Sequence, residues 1–239
     1  MSSSTPRSLQ ILTIVTAVMT VMALGMVFLY APREAAMGEV QRIFYFHVSS
    51  AWIGGVAFLV TLVAGIVFLR TRDHKWDRLA LSSVEIGIVF SAMTLFSGIL
   101  WGRPAWNTWW TWDPRTTTFL ILLLIYFAYL FLRQGIDDPD RRARFASVYG
   151  IVGFVSIPLT FLSIRLWRTI HPVVIGSSDP SAQGSFNMVA PMVYTLLFSL
   201  AFFTVLYVTL LWHRLRLADE GGRVEEMRAQ MMRAQVTSA

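Results

Sequence analysis

The sequence predicts an all-α integral membrane protein with six transmembrane helices and both termini cytoplasmic. Three observations carry that prediction. Of 239 residues, 55% are hydrophobic and only 14% charged, where a soluble domain has about 25% charged residues. The apolar residues fall into six runs, each long enough at 1.5 Å per residue to cross a hydrocarbon core about 30 Å thick. The basic residues concentrate in alternate connections between those runs.

Span 1 is expected at about Leu9–Tyr30, preceded only by Arg7 and too long for the apolar core of a signal peptide, so it reads as an anchor. A polar connection with Pro32, Arg33, Glu34 and Glu39 leads to span 2, about Ile43–Leu69, with His47 near its start. A basic turn, Arg70–Arg78, precedes span 3, about Leu79–Leu100. Span 4 is expected at about Thr116–Leu132, and the charged connection Arg133–Arg144 follows it. In span 5, about Phe145–Ile164, Pro158 should bend the helix and free a carbonyl. The longest connection, Arg165–Ser185, is rich in Gly, Ser and Pro. Span 6 covers about Phe186–Trp212, and the polar tail 213–239 closes a single six-span domain. Val224, Met227 and Met231 recur at helical spacing in that tail, which suits a cytoplasmic helix as well as it suits disorder.

Sorting the cations orients the protein. Fourteen of the twenty Lys and Arg fall on the side of the termini, and six fall on the other: Arg33, Arg42, Arg103, Arg115, Arg165 and Arg168. By the positive-inside rule the larger group is cytoplasmic. The net charge of +6 is thereby a topology signal, and no nucleic-acid module has room. The chain has no cysteine, which excludes disulfides, thiol chemistry, Cys-ligated metal and a self-attached c-type haem. It has no G-x-x-x-x-G-K-[ST], so any ATP-driven step belongs to a partner.

Between spans 3 and 4 lies WGRPAWNTWWTWDPR, Trp101–Arg115, with five of the nine tryptophans: Trp101, Trp106, Trp109, Trp110 and Trp112. A connection needs the turn-formers Gly102, Pro104, Asn107, Asp113 and Pro114, and does not need five indoles. Indoles at that depth serve either as an interfacial belt or as a flat platform for a planar aromatic ligand. Asp113 reads as the cap of span 4, with Pro114 at its first position. His47 and His171 fall on the same side as these tryptophans, whereas His74 and His213 fall in cytoplasmic segments. Each outer histidine has two readings, a hydrogen-bonded structural residue or a ligand. Glu85, about two turns into span 3, is expected to snorkel or to pair with Arg78.

One ligand wants this whole set. Two imidazoles can take both axial positions of haem iron. Indoles pack on a porphyrin, and Arg42, Arg103, Arg115, Arg165 or Arg168 can fork to its propionates, although lipid phosphates would satisfy the same arginines. Zinc would require more His, Cys or carboxylate ligands than this side offers.

The Trp101–Arg115 stretch resembles the tryptophan-rich "WWD" motif of haem-handling membrane proteins. With FYFHVSSAW around His47 and IPLTFLSIRLWRTIHP around His171, the chain resembles the haem exporter protein C (CcmC) family of cytochrome c maturation over spans 1–6. Asn107 stands where that family usually has Gly, and Ser49 where Pro often follows the first histidine. The resemblance implies haem b held by His47 and His171 as axial ligands. It implies a platform of Trp101, Trp106, Trp109, Trp110, Trp112 and Asp113 at the outer face of the bacterial inner membrane. The implied partners are the haem chaperone CcmE, the ATPase CcmA, CcmB and CcmD. The implied role is haem delivery without bond-breaking. The alternatives are haem transport across the membrane, or a haem lyase of the same superfamily, which is generally longer with more spans.

Overall fold

The structure, a computed structural model, describes residues 5–35, 37–167, 169–171 and 188–237. Among these it is all helical apart from turns and one isolated bridge between Glu34 and Gly38. Seven α-helices follow one another: α1 (Arg7–Gly25), α2 (Ile43–Thr71), α3 (His74–Trp106), α4 (Pro114–Gln134), α5 (Pro139–Gly153), α6 (Ser156–Leu166) and α7 (Ala190–Thr237). Alpha-1 runs on into a π-helical turn, Met26–Tyr30, and a 3-10 turn, Glu39–Arg42, leads into α2. Six of the resulting helical stretches are long and apolar enough to cross a membrane, with α5 and α6 together making the fifth.

The break within span 5 has the cause that Pro158 suggests. Proline has no N–H to offer the carbonyl of residue i−4. The Phe154 carbonyl instead accepts from the Ile157 N–H at 3.0 Å, and the helix breaks at Phe154–Val155. Alpha-3 starts on Asp73, whose side chain accepts from the Lys75 N–H, and the hydrogen bond from the Lys75 side chain holds that carboxyl below its usual range. Alpha-3 also runs six residues further than its apolar run, through Trp101 to Trp106. Pro104 lies in the last turn, where its lost hydrogen bond matters least. The helix stops at Asn107, which has φ 55°, a left-handed conformation that Asn tolerates better than most residues. That explains how Asn can stand where glycine is usual.

Alpha-2 and α3 pack closely because small residues meet there. A Cβ on Gly87 would fall 2.8 Å from a Phe58 ring carbon, and one on Gly54 would fall 2.7 Å from the Ser91 hydroxyl. In a bilayer, such close approach and interhelical hydrogen bonds replace the hydrophobic drive available in water. Phe58 stacks on Tyr126 of α4 at 3.5 Å, in a buried cluster that α5 and α6 complete through Ala146 and Ile157. The Ser83 hydroxyl reaches the Ala57 carbonyl and the Tyr207 hydroxyl, and Thr16 meets Thr209, each at 2.7 Å.

Two ion pairs tie α3 to its neighbours. Arg133 of α4 donates both guanidinium arms to Asp77, at 2.5 and 2.8 Å, with both side chains almost wholly buried. Arg214 of α7 does the same to Glu85, at 2.6 and 2.9 Å. The expected Glu85–Arg78 pair is therefore corrected. Two helical turns separate 78 from 85 by about 10 Å along the axis, while α7 brings Arg214 directly alongside. Arg78 pairs with Asp219 instead.

Candidate functional site

Helix alternation brings the first turns of α2, the last turns of α3, the start of α4 and the end of α6 to one end of the bundle. The residues between them enclose a cavity with about 960 Å³ of empty space, its open mouth included. Each helix contributes a face at its own period. Alpha-2 gives Phe44, His47, Val48 and Ala51; α3 gives Thr94, Leu95, Gly98, Ile99 and Gly102; α4 gives Arg115, Thr116 and Phe119.

Four of the five tryptophans line this cavity: Trp101, Trp106, Trp109 and Trp110. Trp101 and Trp106 stand on the final turns of α3, edge to face at 5.0 Å. Trp110 sits edge to face with Trp112 at 5.4 Å. Its indole N–H is buried with no partner, an orphan donor at the cavity wall. Trp112 does not line the cavity and is 73% exposed.

His47 and His171 both line the cavity and face each other, with ring centroids 6.4 Å apart and planes at 34°. His47 is held by two features of α3. Its Nδ1 lies 3.1 Å from the Ser97 hydroxyl, and its ring lies against Gly98. Ser97 has one hydroxyl proton, directed at the Met93 and Thr94 carbonyls at 2.7 and 3.1 Å. The Ser97 oxygen therefore accepts from His47 Nδ1–H, which leaves the Nε2 lone pair available to accept or to ligate. His171 has no helix beneath it and belongs to the short segment after α6.

The charged candidates separate. Arg115 lines the cavity, donates to the Thr160 carbonyl at 2.7 Å and lies over the Phe161 ring. Arg103 turns away, donating to the Asn107 carbonyl and side chain at 2.7 Å and stacking on Trp109. Arg42 pairs with Glu39 at 2.5 Å and reaches the Val27 carbonyl. Arg165 is exposed and does not line the cavity. Arg168 and Pro172 lie outside the described residues. Asp113 does not line the cavity either. It caps α4 by accepting from the Arg115 N–H at 3.1 Å, as its position before Pro114 suggested. It also accepts from the Thr169 hydroxyl at 2.5 Å and the Ile170 N–H at 3.0 Å.

Sequence reasoning missed Ser97, Gly98 and Thr169. A signal for the first two existed, since 97 and 98 precede Trp101 and Gly102 by one helical turn and share their face. Thr169 carried none. At the far end of the bundle, His74 lies 2.8 Å from Asp140 and His213 lies 2.9 Å from Thr13, each remote from the cavity.

Fold and site together describe a polytopic helical membrane protein that holds an aromatic-walled cavity, with a facing histidine pair, at one end of its bundle. The profile of the CcmC family, described as Heme exporter protein C, matches residues 1–230. Similar proteins named Heme exporter protein C include one from Bradyrhizobium diazoefficiens, 33% identical over 204 residues, covering 85% of this chain and 75% of the relative. Another, from Paracoccus denitrificans, is 33% identical and covers 85% of this chain and 83% of its own length. A "Putative cytochrome c biosynthesis ccmC-like mitochondrial protein" of Marchantia polymorpha is 32% identical and covers 64% of each chain. The chain belongs to the CcmC, or Heme exporter protein C, family.

Proposed function

We propose that this chain binds haem at the outer face of a bacterial inner membrane and delivers it within a cytochrome c maturation system. His47 and His171 are the axial ligands. The observation that carries this reading is the facing histidine pair inside a tryptophan-walled cavity. A metal–imidazole bond of about 2.0–2.1 Å, plus about 1.1 Å from ring centroid to nitrogen, puts two imidazoles on one metal about 6.3 Å apart. The observed 6.4 Å fits that spacing. Apart from four threonines the cavity is lined by apolar and aromatic residues, as suits a porphyrin, with the orphan Trp110 N–H and the Arg115 guanidinium as polar groups for its carboxylate edge.

Delivery at one face is favoured over passage through the bilayer. In the half of the bundle away from the cavity, the hydroxyls of Ser83, Thr61, Thr16 and Thr209 are engaged in helix-to-helix hydrogen bonds. On this reading Trp109 and Trp112, both more than half exposed, are the surface that meets the recipient, the haem chaperone CcmE. CcmA supplies ATP hydrolysis, with CcmB and CcmD completing the complex. Haem, when bound, would supply an iron able to take nitrogen ligands; the chain would supply the imidazoles of His47 and His171.

The test is the absorption spectrum of purified protein titrated with haem. Two imidazoles give a low-spin, six-coordinate spectrum. His47→Ala and His171→Ala should each lose that signature, and added imidazole should partly restore it. His74→Ala and His213→Ala should not change it. Wild-type spectra from both cavity variants would overturn the assignment. Replacing Trp109 and Trp110 together by Ala should weaken haem binding by about 2–4 kcal/mol, as for truncation of aromatic anchors at a binding site. The protein should still insert. Unchanged binding by that double variant would return the tryptophans to an interfacial belt.

A further inference from the structure

Resting on the reading of His171 as a ligand, we propose that Asp113 is the positioning residue for His171, acting across the site without touching the cargo. The two histidines are held by unlike means. His47 rides on α2 and is fixed by Ser97 and Gly98 of α3. His171 follows the last residue of α6 by five positions and lies in no helix. What fixes its backbone is a hydrogen-bond relay from the tryptophan loop. Asp113 Oδ1 accepts from the Ile170 N–H at 3.0 Å, and Oδ2 accepts from the Thr169 hydroxyl at 2.5 Å. The Thr169 oxygen in turn accepts from the His171 N–H at 3.1 Å. Residues 169, 170 and 171 are thus each tied, directly or through one hydroxyl, to a single carboxylate 56 residues earlier in the chain.

A cap alone does not require this arrangement. Capping α4 takes one oxygen and one N–H, a task that Ser performs as well as Asp. Only a carboxylate has enough acceptor sites to take the Arg115 N–H, the Ile170 N–H and the Thr169 hydroxyl together. Charge strengthens each bond, and Thr169, donating to Asp113 while accepting from His171, is polarised in the direction that tightens both. The side chain also lies outside the cavity lining, so a direct part in holding cargo is not what its geometry supports.

Asp113→Ser separates the two roles, because serine keeps the cap but cannot span to residues 169 and 170. Purified protein is titrated with ferric protoporphyrin. The expected result is that Asp113→Ser reproduces the lost sixth ligand of His171→Ala, with about a tenfold or greater loss of affinity and partial recovery on adding imidazole. Thr169→Val, in no helix, should move the spectrum the same way, and serves if Asp113→Ser accumulates poorly. In a His171→Ala background, Asp113→Ser should change affinity by less than about twofold, because a residue acting through His171 has nothing left to position. A six-coordinate wild-type spectrum in both Asp113→Ser and Thr169→Val, beside an altered one in His171→Ala, would overturn the proposal and leave the ligand reading standing. Full additivity in the double variant would overturn it equally. A wild-type spectrum in His171→Ala would remove the ligand reading itself, and the proposal with it.

Discussion

Gly98 occupies a position where a methyl group would touch the cavity's fixed histidine. A Cβ there would lie 3.0 Å from His47 Cε1 and 3.5 Å from Nδ1. The imidazole would have to move by a few tenths of an ångström. Gly98→Ala sets two effects against each other. Alanine stabilises a helix interior by up to about 1 kcal/mol over glycine, while displacing a metal ligand or its supporting group costs about 10–100-fold in affinity. The expected outcome is unchanged or raised thermal stability with weakened haem binding. Ser97→Ala should weaken binding within the same range by freeing the His47 tautomer. A titration in which both variants bind like wild type would show that His47 needs no support from α3. These residues also show what one sequence can reveal at this scale. The histidines and tryptophans announce themselves by type, and Asp113 announces its cap by standing before Pro114. The ties from Asp113 to Thr169, and from Glu85 to Arg214, join residues 56 and 129 positions apart. Such pairings are set by helix packing and leave no mark in local spacing.

At the scale of elements, the apolar runs located every span, and the ends were moved by side chains that hydropathy does not see. Capping by Asp73 and Asp113 starts α3 and α4 ahead of their apolar runs. The left-handed Asn107 ends α3 only after Trp101 and Trp106 have joined it. Alpha-7 continues through Gly221 and Gly222, where a side chain would meet nothing within 4 Å, so the tail is helical with Val224, Met227 and Met231 exposed. The pairing of α3 with α4 offers a stability test. Asp77 and Arg133 have side chains only 10% and 9% exposed, with two hydrogen bonds between them. Arg133→Ala would strand a buried carboxylate at a cost of about 3–5 kcal/mol, whereas replacing both residues by leucine should cost much less. Thermal unfolding in detergent reads both. Equal destabilisation by the single and double variants would mean that the pair, and not the orphaned charge, sets the effect.

For the whole molecule, function depends on which way the bundle faces. The cavity end holds the α3–α4 loop, the entry to α2 and the exit from α6; the other end holds the short α2–α3 and α4–α5 turns. Among the described residues, five of the Lys and Arg fall toward the cavity end: Arg33, Arg42, Arg103, Arg115 and Arg165. Arg42 is paired with Glu39, and Arg103 and Arg115 are bonded to carbonyls of the chain. The positive-inside rule then predicts that the cavity end faces out of the cytoplasm. The natural absence of cysteine makes a direct measurement possible. Ala105→Cys and Asp137→Cys place single thiols at exposed positions on opposite ends of the bundle. In intact cells whose outer membrane has been made permeable, a membrane-impermeant maleimide should label the thiol at 105 and reach the one at 137 only after lysis. The reverse pattern would put the cavity in the cytoplasm, where an extracytoplasmic chaperone could not collect from it, and would overturn delivery at the outer face while leaving the histidine pair intact.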